Sequence, residues 1–216
     1  MHPGKKAAGE YAASMVRSGM KVGLGTGSTA YHTVKKLGEM VSKGLEIIGY
    51  PTSQSTEDLA KAEGIPLGAL RDVAQLDIVI DGADEFDPQL NLVKGGGGAL
   101  FREKVVASLA DTFIVVVDES KQVQQLGQFS LPIEVVPFAW QVTQRRIEAL
   151  GVETTRRVNE GNVFLTDNQN YIIDAHFGVI ENAYQLHEHL IHIVGVVETG
   201  LFLDMASQVV IGKNTG

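Results

Sequence analysis

The sequence predicts an α/β protein in which a parallel-sheet domain is joined to a smaller α+β domain, and three observations carry that expectation. Short apolar runs alternate with amphipathic stretches from Lys21 onward, the pattern of strands and crossover helices in a parallel sheet. The run Phe113-Ile114-Val115-Val116-Val117 is continuously apolar and rich in β-branched residues, as in a strand covered on both faces. Beyond Leu131 the order of elements changes to β-α-β-β-α-β, that of a ferredoxin-like unit.

Taken in order, Ala8, Tyr11, Ala12, Met15 and Val16 recur at helical spacing between Lys5 and Arg17, with Gly19 as the stop. Strand Lys21 to Leu24, helix Thr29 to Val41, strand Leu45 to Tyr50, helix Thr56 to Glu63 and strand Leu76 to Ile80 follow. A helix after Gly98 runs to about Ala110 and leads into the 113–117 strand. The smaller unit comprises strand Ile133 to Val136, helix Ala139 to Leu150, strand Val152 to Val158, strand Tyr171 to Ala175, helix Asn182 to Ile191 and strand Ile193 to Glu198. A boundary near residue 130 gives a domain of 1–130 plus 200–216, where Val209-Val210-Ile211 adds a strand, and a small domain of 131–199. No repeat of 20 to 50 residues is visible, which excludes solenoids and propellers.

With 216 residues, 44% of them hydrophobic, the chain can bury a sizeable core. A net charge of −8 without any Lys/Arg-rich stretch argues against a nucleic-acid partner. The absence of cysteine excludes disulfides, thiolate metal sites and cysteine nucleophiles. The N-terminus lacks a signal-peptide apolar region and no apolar run is long enough to span a bilayer, so no membrane partner and a cytoplasmic location are expected.

Three segments carry chemistry. Gly23-Leu24-Gly25-Thr26-Gly27-Ser28-Thr29-Ala30 joins a strand to a helix, where free amides and hydroxyls suit a phosphate. The same glycines fit a dinucleotide fingerprint, but Tyr50-Pro51-Thr52-Ser53 stands where an acid should hold the ribose; a merely structural tight turn is the third reading. Asp81-Gly82-Ala83-Asp84-Glu85-Phe86-Asp87 follows an apolar strand, at the carboxyl edge where open α/β sheets collect ligands. It could instead be a solvated acidic turn; it lacks the order of a calcium loop. Lys94-Gly95-Gly96-Gly97-Gly98 leads through Arg102-Glu103-Lys104 into a helix. Four glycines are entropically costly unless backbone must approach a ligand closely, the plain alternative being a flexible linker. Lys121, after the buried strand, falls on the same sheet edge. His187, His189 and His192 lie on a helix without a His-Glu-x-x-His pattern, so no metal is expected there.

Together these segments resemble the type A ribose-5-phosphate isomerases. The shared words are Gly25-Thr26-Gly27-Ser28-Thr29-Ala30, Asp81-Gly82-Ala83-Asp84-Glu85, Lys94-Gly95-Gly96-Gly97, Arg102-Glu103-Lys104, Ser120-Lys121-Gln122 and Thr166-Asp167-Asn168, in that order, with Gly200-Leu201-Phe202 near the end. The resemblance implies a Rossmann-like domain with a smaller ferredoxin-like one, and a cofactor-free interconversion of ribose 5-phosphate and ribulose 5-phosphate. It makes Glu103 the catalytic base, with Asp81, Asp84 and Lys94 as further catalytic groups. Substrate contacts fall on Thr26, Gly27, Ser28, Thr29, Asp81, Gly82, Ala83, Asp84, Lys94, Gly95, Gly96, Gly97 and Lys121, and Lys5 matches an N-terminal phosphate contact. A homodimer or homotetramer is implied as well. Gly98 stands where alanine is common, a departure expected to change loop entropy more than chemistry. The rival readings are a non-enzymatic sugar-phosphate sensor, which leaves the Lys94 and Glu103 combination without a purpose, and a dehydrogenase.

Overall fold

The computed structural model describes residues 3–213; the ends of the expected large domain, 1–2 and 214–216, lie outside the described residues. The chain divides into two compact units. One takes residues up to Ala83, Arg102–Lys121 and the segment from Met205; the other takes Asp84–Phe101 and Gln122–Asp204. The sequence places two crossings, near residue 130 and near Gly200, whereas the chain changes unit four times, because the segment 84–101 carries short strands that pair within the second unit.

In the first unit five parallel strands lie in the order Gln208–Gly212, Ala110–Asp118, Leu76–Asp81, Lys21–Leu24, Ile48–Pro51. From Lys21–Leu24 the chain crosses through helix Ala30–Val41 to Ile48–Pro51 on one side. It then returns through helix Gln54–Ala62 to Leu76–Asp81 on the other. The order therefore reverses between Lys21–Leu24 and Leu76–Asp81, and a switch point of this kind leaves a crevice at the carboxyl ends of the two strands. Val22, Leu24, Ile78, Ile80, Ile114 and Val116 bury one sheet face against Ala8, Ala12, Val34 and Leu37 of the helices. Burial of this kind supplies about 25 cal/mol per Å² of apolar surface.

Local chemistry sets the element ends. Helix Pro3–Ala13 starts on a proline, whose fixed φ suits the first turn. It stops short of the expected Arg17 because Ser14 Oγ turns back onto the Tyr11 carbonyl at 2.6 Å. Helix Gln54–Ala62 begins ahead of the expected Thr56, since Ser53 caps it by accepting from the Thr56 N–H at 3.1 Å.

The second unit holds a four-stranded antiparallel sheet in the order Val196–Thr199, Leu131–Val135, Tyr171–Ala175, Thr154–Arg156, with helices Trp140–Glu148 and Ala183–Ile191. That is the ferredoxin-like arrangement expected from the element order. Alternation along Leu131–Val135 turns Leu131, Ile133 and Val135 into a core with Ile147, Ile173 and Leu190. Glu134 points the other way and is fully buried; its Oε1 accepts from Thr166 Oγ1 (3.0 Å), Asn168 Nδ2 (3.2 Å) and Asn170 Nδ2 (2.9 Å). Thr166-Asp167-Asn168 is thus a turn fastened to a buried carboxylate. A second, three-stranded sheet of Leu201–Phe202, Leu92–Val93 and Glu85–Phe86 was not foreseen, because two-residue strands have no period to read.

Candidate active site

In the first unit the loop after Lys21–Leu24 is bound to the end of the neighbouring strand. Gly25 N–H donates to the Ile80 carbonyl at 2.9 Å and Thr26 N–H to Asp81 Oδ1 at 2.9 Å. Asp81 closes strand Leu76–Asp81, is 1% exposed, and also accepts from the Gly82 N–H at 2.7 Å. Only glycine fits at position 25, because a Cβ there would stand 2.2 Å from Asp81 Oδ1. The dehydrogenase reading needs an acid at the end of strand Ile48–Pro51. Thr52, Ser53 and Thr56 are found instead, gathered around the Thr26 hydroxyl at 2.8, 2.7 and 3.0 Å. Thr26 therefore serves the loop through both its amide and its hydroxyl.

Gly27, with φ of +107°, turns the chain into helix Ala30–Val41. Thr29 sits at the N-cap position but makes no side-chain cap, and the first amides of a helix have no intrahelical acceptor. A cavity of about 580 Å³ opens beside this turn, lined by Gly27, Ser28, Tyr31 and Leu59 among others. Lys5 Nζ donates to Ser28 Oγ at 3.0 Å and lies 3.7 Å from Asp118 Oδ2. Asp118 ends strand Ala110–Asp118 and accepts from the amide and hydroxyl of Ser120, next to Lys121. Burial opposes its charge, but the Ser120 hydrogen bonds with Lys5 and Lys121 nearby outweigh burial and hold the carboxyl below its ordinary value. Two cations and a helix N-terminus thus meet at one strand edge, with an anionic aspartate fixing one of them. Asp118 and the Thr52, Ser53 and Thr56 hydroxyls escaped the sequence reading; Ser53-x-x-Thr56 ahead of an amphipathic stretch was the available signal.

Glu103 also belongs to the first unit. It lies in the first turn of helix Leu100–Ala107 and is 6% exposed. A carboxylate there is favoured by the helix dipole.

The second unit holds the other predicted groups. The acids after Ala83 divide by task. Glu85 accepts from the Gly127 N–H at 2.8 Å and from the Phe129 N–H, and Asp87 from the Gln89 and Asn91 N–H groups at 2.9 Å each, so both hold turns. Asp84 stays partly exposed and accepts from the Gly96 N–H at 2.7 Å. Lys94 is 2% exposed, its N–H donates to the Gly200 carbonyl at 2.9 Å, and its ammonium lies 5.4 Å from the Phe202 ring centroid. Burying an ammonium is costly, so a lysine held this deep answers a need other than solubility.

The glycine run is an ordered turn rather than a linker: Gly98 N–H donates to the Gly95 carbonyl at 3.0 Å. Gly98 has φ of +82°, and a Cβ on it would meet Phe164 Cζ at 2.3 Å. The departure from alanine is therefore a packing requirement as well as an entropic one. Gly98→Ala is expected to destabilise the protein by about 2 kcal/mol, from left-handed strain and overpacking against Phe164. Denaturant unfolding measures this, and an unchanged midpoint would refute it.

Among the described residues no three His, Cys, Asp or Glu side chains gather as a metal site, and no helix is long and apolar enough to cross a membrane. Of the three helix histidines, His187 Nδ1 pairs with Thr199 Oγ1 at 2.9 Å and His192 Nδ1 with the Glu188 carbonyl at 2.6 Å, while His189 is exposed.

Residues 48–216 match the family model described as ribose 5-phosphate isomerase A (phosphoriboisomerase A). Ribose-5-phosphate isomerase A 1 of Oceanobacillus iheyensis is 52% identical over 210 residues, covering 97% of this chain and 94% of that protein. Among solved structures, a D-ribose-5-phosphate isomerase in complex with phospho-erythronic acid superposes with a TM-score of 0.94 at 41% identity, covering 98% of this chain and 95% of that one. The ribose 5-phosphate isomerase of Plasmodium falciparum superposes at 0.97 and 36% identity, covering 100% and 96%.

Proposed function

The chain belongs to the ribose 5-phosphate isomerase A family, and from that premise we propose an assignment of its residues to the interconversion of D-ribose 5-phosphate and D-ribulose 5-phosphate. The activity is an aldose-ketose isomerisation. A proton leaves carbon 2, an enediolate forms, and a proton returns to carbon 1 while the hydroxyl proton moves between oxygens. One base can serve both carbons, and a carboxylate has two oxygens to do so.

The single observation that carries the assignment of the base is a glutamate, Glu103, 6% exposed in the first turn of a helix that follows a glycine turn. Glu103 takes the proton from carbon 2 and delivers it to carbon 1. Lys94 stabilises the charge that develops on the enediolate oxygens, an effect worth a few kcal/mol in such sites. Asp81 and Asp84 hold sugar hydroxyls and assist ring opening. The phosphate is met by the amides of Gly27, Ser28 and Thr29, by the Ser28 hydroxyl, and by Lys5 and Lys121. The backbone of Gly82, Ala83, Gly95, Gly96 and Gly97 approaches the sugar, and Thr26 supports the loop.

The enzyme acts in the cytoplasm as a homodimer or homotetramer. In support of self-association, Phe138 and Val194 of the second unit are 88% and 78% exposed, apolar surface of the kind that marks interaction sites.

Incubation with ribose 5-phosphate in deuterium oxide, without any added cofactor, is expected to give ribulose 5-phosphate carrying solvent deuterium at carbon 1, read by NMR. Binding without conversion or carbon-bound exchange would return the protein to the sensor reading.

A further inference from the structure

We propose that Arg157 is a positioning residue that sets the orientation of Asp84 by fixing one peptide group of the glycine turn. Arg157 directly follows the edge strand Thr154–Arg156 and no part of the sequence pattern singles it out. Its backbone is anchored at both ends: the N–H donates to the Ile172 carbonyl at 2.8 Å and the carbonyl accepts from Phe164 N–H at 3.1 Å. Its guanidinium is 14% exposed and grips Asp174 of the next strand in a bidentate pair, through Nε to Oδ2 at 2.9 Å and Nη2 to Oδ1. The Phe164 ring centroid lies 5.8 Å from Cζ. Planar, bidentate pairing of this kind holds an arginine in one geometry.

The remaining nitrogen is aimed at the glycine turn. Nη1 donates to the Gly95 carbonyl at 2.7 Å and to the Gly96 carbonyl at 3.1 Å. The Gly95 carbonyl and the Gly96 N–H belong to the same peptide group, and in a trans peptide they point in opposite directions. The N–H of that group is the one that donates to Asp84 Oδ2 at 2.7 Å. One peptide is thus held between a guanidinium on its oxygen and a carboxylate on its hydrogen, both charge-assisted contacts that reinforce each other along the peptide dipole. Glycine offers the backbone many alternative orientations, so without an external hold this peptide could rotate. Asp174 neutralises Arg157, Arg157 fixes the peptide, and the peptide fixes the Asp84 carboxylate.

This inference rests on the reading of Asp84 as a substrate-contacting group, and a double-mutant cycle separates the two. The cycle measures kcat and KM for ribose 5-phosphate in the wild type, Arg157→Met, Asp84→Asn and the double variant. Arg157→Met is expected to lower kcat about tenfold with KM changed by less than about threefold, because a misplaced catalytic contact costs turnover. In the Asp84→Asn background the same substitution should cost less than about twofold, the non-additivity of residues acting in one chain of contacts. Arg157→Lys, which cannot hold two carbonyls and a carboxylate together, should give an intermediate loss. It runs the same cycle if the methionine variant does not fold. Equal losses in both backgrounds, or a change confined to melting temperature, would overturn the role of Arg157 and leave that of Asp84 standing. Near-normal turnover by Asp84→Asn alone would overturn both.

Discussion

Glu103→Gln is expected to lower kcat for ribose 5-phosphate by about 10² or more while leaving phosphosugar binding intact. The substitution is nearly isosteric and removes basicity alone. At 6% exposure the side chain is shaped by its surroundings, and an amide of the same size can keep much of its packing and one acceptor oxygen. With size and packing kept, the variant is expected to fold as the wild type does. A large loss of turnover with an unchanged melting temperature distinguishes a lost base from a damaged fold. Deuterium exchange at carbon 1 should fall with kcat, because both need the same proton transfer. Near-normal turnover would remove Glu103 from the chemistry.

Lys94→Met is expected to lower kcat by about 10² and to weaken substrate affinity as well. Methionine keeps an unbranched stem of similar length, and its thioether can lie beside the Phe202 ring that the ammonium faces at 5.4 Å. What is lost is a cation in a position almost closed to water, at 2% exposure, where electrostatic effects on a developing oxyanion are larger than in solution. The ratio of the two effects is informative. A drop in kcat reports stabilisation of the enediolate, whereas a rise confined to KM would reduce Lys94 to a ground-state contact.

Much of the fold could be read along the chain because its larger elements are locally consistent. The Ala110–Asp118 strand is buried from Phe113 to Asp118, and a run without alternation says as much. Tyr171–Ala175 falls where its β-branched pair Ile172-Ile173 places it. Element ends drifted where a single hydroxyl intervened, as at Ser14 and Ser53. The candidate site was legible where one short segment carries both the backbone turn and the chemistry, as from Gly23 to Ala30. It was not legible where the contact is made across the chain. Arg157 reaches Gly95 over 62 positions from a strand edge where an arginine is ordinarily a solvated residue. Asp118 looked like the end of a strand, and only the arrival of Lys5 gives it a second task.

The parallel sheet also has a consequence for biosynthesis. Strand Gln208–Gly212 lies beside Ala110–Asp118, and Phe113 N–H donates to Ser207 Oγ across 94 positions. While a ribosome is still translating the residues between them, one margin of Ala110–Asp118 has no neighbour, and a bare, apolar strand margin invites pairing with other nascent chains. The strands of the small antiparallel sheet lie between Leu131 and Thr199 and are translated in full before the strand that covers that margin. Translation speed over the stretch leading to Gln208 therefore sets how long the unfinished sheet is at risk, and slow codons there would trade yield for aggregation without altering a single residue of the finished enzyme.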